Sequence, residues 1–222
     1  MFGALAEGMT KATGFLEGQD ALCTVEAFRD MGVLIRGPEQ GQIEIDGVGM
    51  HGLKAPKNVL DMGNSGTSIR LMSGLLAPQA FDSVMTGDVS LQTRPMGRVT
   101  TPLQLMGAVI ESEDSKPPLA IKGGQRLKGI HYEMPIASAQ VKSCVLLAGM
   151  YAEGRTSISD PAMTRDHTER MLRGFGYEVE CENDVISLQG GGALKATSID
   201  IPADISSAAF FLVAASIAEG SD

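Results

Sequence analysis

One tripeptide, Ala-Glu-Gly, recurs along this chain and limits the folds that the chain can adopt. It occurs at Ala6-Glu7-Gly8, Ala152-Glu153-Gly154 and Ala218-Glu219-Gly220, with a degenerate copy, Ala77-Pro78-Gln79, between the first two. The four marker alanines are 71, 75 and 66 residues apart, whereas solenoid repeats are roughly 20–50 residues long. We therefore expect each unit to be a small α/β module.

Two series of glycines keep the same spacing. One series follows apolar helical runs, and the other closes strands that end in Ile/Leu-x-Gly: Gly32, Gly107 and Gly176, then Gly47, Gly123 and Gly190. Glycine directly after a helix is typical of a left-handed C-cap. Three markers in phase predict three repeats of the order α-β-α-β-β, an α/β (α+β) fold.

The apolar pattern places most elements of each repeat. Buried helices are predicted at Phe2–Ala6, Ser68–Ala77, Gln140–Ala152 and Ser207–Ala218, and short strands at Thr13–Phe15, Ser83–Met85 and Thr156–Ser159. Amphipathic helices follow, with apolar stripes through Phe28, Leu103 and Leu172. In the third repeat a closing pair of strands is predicted at Glu178–Cys181 and Val185–Leu188.

Both ends of the chain break the pattern. The second repeat has a leading loop from Asn64 that the first repeat lacks, and the last copy of the marker is followed only by residues 221–222. We expect both ends to be cuts inside a longer protein. The alternative is a natural chain whose first copy has diverged.

Composition excludes several classes of function. A formal net charge of −9 argues against nonspecific binding to nucleic acid or anionic lipid, which both require excess Lys and Arg. The longest apolar stretch, residues 208–218, is 11 residues long, well short of the ~20 that span a bilayer. Three widely spaced cysteines without a CxxC pattern indicate neither a disulfide framework nor a zinc site. We expect a cytoplasmic protein without metal or cofactor.

Small hydroxyl-bearing residues crowd the starts of the buried helices. They form the segments Gly63–Ser68, Ala137–Gln140 and Asp204–Ser207. The first N–H groups of a helix have no partner within the helix, and the dipole favours negative charge, so such starts bind phosphate or carboxylate. Ordinary N-capping explains any single segment equally well. Repetition favours a shared anion site near a pseudo-symmetry axis.

Basic residues lie beside these helix starts. Arg70 and Lys142 follow two of them, while Arg94 and Arg165 hold corresponding places before the amphipathic helices. Because arginine binds phosphate or carboxylate bidentately, we interpret Arg94 and Arg165 as ligand-binding. The remaining candidates are interpreted structurally: Arg98, Arg170 and Arg173 as surface or intrachain ion pairs, His167 as structural, and Cys144 as a buried core thiol.

Four sequence blocks identify a family. They are Met62–Thr67, Gly87 through Met96, Pro135–Lys142 (PIASAQVK) and Thr164–Met171 (TRDHTERM). The chain resembles part of 5-enolpyruvylshikimate-3-phosphate synthase, an enolpyruvyl transferase of the shikimate pathway. The resemblance implies two similar domains, each of three α/β repeats around a pseudo-threefold axis, with the substrates in the cleft between them.

The resemblance also implies roles for individual residues. Ser138, Ala139 and Gln140 would hold shikimate 3-phosphate, with Arg165 on its phosphate. The phosphoenolpyruvate pocket would be lined by Asn64, Ser65, Gly66 and Arg94, with Gln140 nearby. No catalytic residue is expected in this chain, because the family's catalytic carboxylates belong to the second domain. Gly66 implies sensitivity to glyphosate, although the TRDHTERM block is found in the subset that includes many tolerant enzymes.

These implications divide the chain into two parts. Residues 1–201 would form the three-repeat shikimate-3-phosphate-binding domain, and residues 202–222 the hinge and first helix of an absent second domain. The chain would be a partial transferase whose partners are the two substrates and the missing domain. Alternatives are a binding module without turnover and a relative acting on UDP-N-acetylglucosamine. The helix Ser207–Ala218 is expected to fray, dock on the cleft face or pair with a second chain.

Overall fold

The computed structural model describes residues 1–162, 164–218 and 220. The first repeat contains α1 (Phe2–Leu5), β1 (Ala6–Thr13), α2 (Gln19–Asp30), β2 (Leu34–Glu39) and β3 (Gln42–Val48). The second contains β4 (Leu60–Asp61), α3 (Gly66–Leu76), β5 (Ser83–Thr86), α4 (Val89–Gln92), α5 (Gly97–Leu105), β6 (Val109–Glu113) and β7 (Lys116–Lys122). The third contains β8 (His131–Glu133), α6 (Ala139–Gly149), β9 (Arg155–Ser159), α7 (His167–Gly174), β10 (Glu180–Glu182) and β11 (Val185–Gln189). After it come β12 (Leu194–Lys195), β13 (Ser198–Asp200) and α8 (Ile205–Ile217).

The predicted order α-β-α-β-β is present in all three repeats, and the structure adds the unpredicted leading strands β4 and β8 and the short helix α4. Each repeat contributes to one sheet. The second and third sheets have the strand orders β4-β5-β7-β6 and β8-β9-β11-β10. In both, a leading strand runs parallel to its neighbour, and an antiparallel hairpin completes the sheet. The fourth copy of the marker includes Glu219, which lies outside the described residues.

The first sheet obtains its leading strand from the other end of the chain. Strands β12 and β13 both pair with β1 in parallel, with Ala6 opposite Leu194 and Thr13 opposite Asp200. They occupy the place that β4 and β8 hold in the other sheets. Residues 194–200 therefore supply the leading strands of the first sheet.

The expected first strand, Thr13–Phe15, is wrong in position. Strand β1 begins at the marker alanine and pairs with β3 from Glu7 opposite Val48 to Ala12 opposite Ile43. The corresponding alanines Ala77 and Ala152 instead follow helices α3 and α6, outside any strand. The first helix is only 4 residues long, so the chain enters the sheet earlier than in the other repeats.

Both glycine series have structural reasons. Gly32, Gly107 and Gly176 adopt φ of +87°, +105° and +80° directly after α2, α5 and α7, which confirms the predicted left-handed caps. The second series permits close backbone approach. A Cβ on Gly47 would lie 2.1 Å from the Ala6 carbonyl oxygen, and one on Gly190 would lie 1.9 Å from that of Ala152.

Helices α3 and α6 form the centre of the core and cross at Gly74. A Cβ there would lie 2.1 Å from the carbonyl oxygen of Cys144, so only glycine permits this crossing. Cys144 is fully buried, and burial raises the pKa of its thiol. This confirms that Cys144 is a core thiol, because a protonated thiol is a poor nucleophile.

Helix α8 differs from the other apolar helices, because none of its described residues is buried. Asp204 caps it by accepting hydrogen bonds from the backbone N–H groups of Ser206 and Ser207. Phe210 and Phe211 are 82% and 79% exposed. An apolar helix that is exposed along its whole length indicates a surface that binds other polypeptide. Within the described ranges no helix is long and apolar enough to cross a membrane.

Candidate functional site

The candidate site lies where the first turns of α3 and α6 meet. Ser65 caps α3 by accepting a hydrogen bond from the Ser68 backbone N–H at 3.2 Å, and Ser138 caps α6 in the same way from Val141 at 3.4 Å. The Gln140 side chain joins the two starts, since its Nε2 donates to Thr67 Oγ1 at 2.8 Å. Two helix N-termini therefore present partial positive charge to one region.

A cluster of guanidinium groups lies beside these helix starts. Burial lowers the pKa of Arg70, and the neighbouring charges of Arg94 and Arg98 lower it further. Arginine nonetheless stays charged in proteins. Within the described part of the chain, none of the three forms an ion pair with a carboxylate. Three guanidinium groups without a direct ion pair leave an excess of positive charge here, in a chain of net charge −9, and such an excess suits an anionic ligand.

Hydrogen bonds fix this cluster around the start of α3. Arg70 Nη1 donates to the Gly66 carbonyl at 3.2 Å, and Arg94 Nη2 donates to Asn64 Oδ1 and to Ser90 Oγ. Gly66 lies under both guanidinium groups. A Cβ there would be 2.9 Å from Arg70 Nη1 and 3.1 Å from Arg94 Nη1.

The structure thus brings Asn64, Gly66, Arg94 and Gln140 together, as the candidate phosphoenolpyruvate set requires, with Arg70 added. Ser65 supports the site from behind. It is 1% exposed, and its Oγ contacts Ser68 Oγ at 2.8 Å. Its side chain therefore serves the fold, whereas the neighbouring Asn64 side chain is exposed.

A cavity of about 240 Å³ lies at the starts of α3 and α6, and its lining includes Gln140, which accepts a hydrogen bond from Arg70. It is lined by Thr67, Leu71, Ala139, Gln140, Ser143, Arg165, His167 and Thr168. Three of the four candidate shikimate 3-phosphate residues, Ala139, Gln140 and Arg165, therefore line one space. Ser138 does not line it and instead caps the helix that does.

Not every basic residue near the helix starts is available to a ligand. The interpretation that placed Lys142 beside an anion site is wrong, because its side chain is buried between Asp160 and Glu169. Arg170 pairs with Asp166 at 2.7 Å, as predicted. The ion pair predicted for Arg173 is wrong, because its guanidinium donates to the Val179 carbonyl. Sequence reasoning set Arg98 aside, although its charge acts on Arg70.

The acidic group nearest the cluster is held in its ionised form. Hydrogen bonds from Asn64 and from the Leu91 backbone N–H lower the pKa of Asp88. Asp88 therefore orients Asn64 and is a poor proton donor at neutral pH. Across residues 1–162, 164–218 and 220, no group of three or more His, Cys, Asp or Glu is placed to hold a metal ion. The arrangement is suited to binding and orienting anions, and Asp88 does not provide it with a general acid.

Comparisons with known proteins agree with this three-repeat fold. The family described as EPSP synthase (3-phosphoshikimate 1-carboxyvinyltransferase) matches residues 1–222. Two solved EPSP synthase structures from Acinetobacter baumannii superpose on the chain with a TM-score of 0.92 at 64% identity. They cover 99% and 100% of this chain, which spans 50% and 51% of theirs. The chain belongs to the EPSP synthase family.

Two curated relatives show how much of their length this chain spans. The 3-phosphoshikimate 1-carboxyvinyltransferase of Alkalilimnicola ehrlichii is 63% identical over 223 residues, and that of Methylococcus capsulatus is 62% identical over 223 residues. Both comparisons cover 100% of this chain but only 50% and 51% of the relatives. The chain therefore spans about half the length of the curated relatives it matches.

Proposed function

We propose that this chain is the shikimate-3-phosphate-binding half of a 3-phosphoshikimate 1-carboxyvinyltransferase. The observation that carries the proposal is the cluster of Arg70, Arg94 and Arg98 at two joined helix starts, which keeps an excess of positive charge beside the carboxylate of Asp88. Both substrates of the reaction are multiply charged anions. The names of the relatives agree with this substrate class.

The cavity beside α6 is the proposed site for shikimate 3-phosphate. Arg165 is exposed at its wall and would bind the phosphate bidentately, while the first turn of α6 adds the backbone N–H groups that Ser138 leaves free. Gln140 and Ala139 also line this cavity. In this assignment Ser138 caps α6, and Ala139, Gln140 and Arg165 contact shikimate 3-phosphate.

The guanidinium cluster is the proposed site for phosphoenolpyruvate. That molecule carries a carboxylate and a phosphate, so it requires at least two cationic partners. Arg94, held by Asn64, and Arg70, held by Gln140, provide them across the surface of Gly66. Ser65 fixes the loop that carries these residues. Gln140 contacts both proposed sites.

The chemistry divides between this chain and the rest of the enzyme. In the addition step, the 5-hydroxyl loses its proton to a base as its oxygen bonds to C2 of phosphoenolpyruvate, and C3 gains a proton from an acid. In the elimination step, loss of a C3 proton to a base and departure of phosphate from C2 restore the double bond. Here, the arginines bind and orient the reactants and stabilise the charge that develops on the departing phosphate. We propose that the acid and base lie in the remaining half of the enzyme. Residues 1–201 would form the binding half, and residues 202–222 would be the hinge and first helix of the remaining half.

A second reading is a binding module without turnover. It is favoured by Asp88, which is held ionised beside the cluster and offers no proton. The two readings share a site and differ only in whether the other half joins it. Cytoplasm remains the proposed location, because a thiol exposed at Cys181 and two buried at Cys23 and Cys144 suit a reducing compartment.

Calorimetric titration with shikimate 3-phosphate tests the proposed binding site. We expect saturable binding that Arg165→Ala weakens at least about tenfold, because a bidentate charged contact is lost. Arg155→Ala is the matched control, since Arg155 pairs with Glu180 on the surface of the same repeat. Equal loss in both variants, or no binding by the folded chain, would contradict the proposal.

Turnover is tested in a chimera. This chain would replace the aligned segment of the Alkalilimnicola ehrlichii protein, which is 63% identical to it. Phosphate released from phosphoenolpyruvate and shikimate 3-phosphate would establish that the chain supports the transferase reaction. A chimera that binds shikimate 3-phosphate but releases no phosphate would favour the binding module.

A further inference from the structure

Lys142 lies two residues beyond Gln140 on α6 and is almost completely buried. Its Nζ is 3.1 Å from Asp160 Oδ2 and 2.7 Å from Glu169 Oε1. All three side chains are only 2% exposed. A buried group of this kind is weak evidence for stability, because apolar residues of similar volume often stabilise a fold equally well or better. Its geometry indicates a more specific role.

The same lysine also holds the loop that carries Arg165. Lys142 Nζ donates to the Thr164 carbonyl at 3.3 Å. Asp160 Oδ2 accepts hydrogen bonds from the Thr164 backbone N–H, at 2.8 Å, and from the Thr164 hydroxyl. Thr164, the residue directly before Arg165, is thus held at both backbone groups: its N–H donates to Asp160, and its carbonyl accepts from Lys142.

A second contact between α6 and α7 does not hold the backbone beside Arg165. Ser143 Oγ lies 2.6 Å from Thr168 Oγ1 and donates to the Ala139 carbonyl. It joins the two helices inside the cavity wall but does not reach the loop before α7. The Lys142 group alone connects α6, through Thr164, to the backbone beside Arg165 within the described residues.

We propose that Lys142 is a positioning residue that fixes the Arg165 loop relative to Gln140. Both of those side chains line the cavity of about 240 Å³, so the separation between α6 and the loop sets the distance across it. The inference rests on the proposed function, because the cavity is the site assigned to shikimate 3-phosphate. Lys142 itself does not line that cavity.

Two variants separate positioning from stability. Lys142→Met removes the tie but leaves the Asp160 and Glu169 carboxyl groups facing each other, so the fold is also weakened. Lys142→Met with Glu169→Gln removes the tie without that repulsion. We expect the double variant to be more stable than Lys142→Met, although Asp160 still lacks its lysine partner, yet to bind shikimate 3-phosphate at least about tenfold more weakly than the parent chain.

Leu119→Ala is the matched control for lost stability. Leu119 is fully buried on β7 in another sheet, so truncation creates a cavity away from α6 and α7. We expect this variant to lose stability and keep its affinity. An affinity that recovers with stability in the double variant, or that falls equally in Leu119→Ala, would overturn the proposal.

Hydrogen exchange at the Thr164 amide gives a readout that needs no ligand. Its N–H donates to Asp160, and the tie to Lys142 should protect it from exchange. We expect faster exchange in both lysine variants and unchanged exchange in Leu119→Ala. If the parent chain fails to bind shikimate 3-phosphate, the proposed function fails, and exchange of the Thr164 amide alone tests the positioning role of Lys142. Retained protection of that amide in the lysine variants overturns the positioning role, and lost protection supports it.

Discussion

Arg70 Nη1 donates a hydrogen bond to Gln140 Oε1 at 3.0 Å, and the two residues lie 70 positions apart in the chain. The same amide donates from its nitrogen to Thr67, so both ends of the Gln140 side chain are used. One neutral side chain therefore holds a cation of the proposed phosphoenolpyruvate site while forming part of the cavity proposed for shikimate 3-phosphate.

Substitution of Gln140 should affect both ligands. We expect Gln140→Ala to weaken binding of each about tenfold, because Arg70 loses the group that orients it. Gln140→Glu should weaken both further, since a carboxylate would neutralise Arg70 beside the bound anions. Calorimetry with each substrate checks this order. Selective loss of one ligand in both variants would show that the two sites are independent.

Gly66→Ala tests the space under the guanidinium groups. The new methyl would lie 2.9 Å and 3.1 Å from the ends of Arg70 and Arg94, so both side chains must move while the backbone stays. We expect a folded variant with phosphoenolpyruvate affinity lowered about tenfold. Glyphosate, as a competitor at that site, should lose affinity in parallel.

Gly97→Ala is the matched control for that change. Gly97 is also the first residue of a helix, α5, and its Cβ would lie 3.8 Å from Ser115, an ordinary contact. We expect it to leave both affinities unchanged. Parallel losses in the two variants would assign the effect to the helix starts and not to crowding of the arginines.

Alanine substitution should have opposite effects at two further glycines, Gly74 at the crossing of α3 and α6 and Gly174 on α7. Gly74→Ala would place a methyl 2.1 Å from the Cys144 carbonyl and should destabilise the fold by ~3 kcal/mol or prevent folding. Gly174→Ala, in α7 with nothing within 4 Å, should stabilise it by about 0.5–1 kcal/mol. Urea unfolding measures both. A tolerated Gly74→Ala would show that the helices cross farther apart.

Asp160 predicts a pH dependence of stability. Burial opposes its ionisation, but hydrogen bonds from Thr164 and Lys142 outweigh burial, and the pKa lies below its ordinary value of 3.8. The stabilisation is therefore complete above pH 3.8 and is lost as pH falls through the lower pKa of the folded state.

Asp160→Asn removes this dependence. We expect the difference in unfolding free energy between parent and variant to be constant near neutral pH and to shrink below pH 3.8. Urea unfolding at pH 7, 5, 4 and 3 provides the comparison. A difference that does not change with pH would mean that the carboxylate contributes through packing only.

The exposed apolar surface of α8 predicts association. With Phe210 and Phe211 unburied, we expect the isolated chain to self-associate as its concentration rises. Phe210→Ser with Phe211→Ser should reduce association, whereas Val89→Ser, at a single exposed valine on α4, should not. Sedimentation velocity over a hundredfold concentration range measures this. A constant monomer mass of the parent chain would contradict the prediction.

Much of the fold was predictable because the repeat is carried by local features. Gly32, Gly107 and Gly176 mark helix ends through backbone conformation, which sequence reports directly. The meeting of the α3 and α6 starts followed from placing equivalent elements around one axis. For the same reason Arg94 and Arg165 could be singled out by their corresponding positions.

Other features depend on contacts that no local pattern reveals. Strands β12 and β13 are 2 and 3 residues long, too short to show alternation. Lys142 stands in an apolar run, and nothing in that run indicates that Asp160 and Glu169 enclose it. The guanidinium cluster was missed in part because Arg98 reaches Arg70 only through the packing of α5 against α3.

The closing of the first sheet by residues 194–200 has a kinetic consequence. Thr13 and Asp200 share a hydrogen bond across 187 positions, so β1 keeps an unpaired edge while nearly all of this segment is synthesised. Joining such distant segments carries a large entropic cost before any contact rewards it, and folds with distant contacts form slowly. On the ribosome, the second and third repeats can complete their own sheets first, although the first repeat precedes them in the chain.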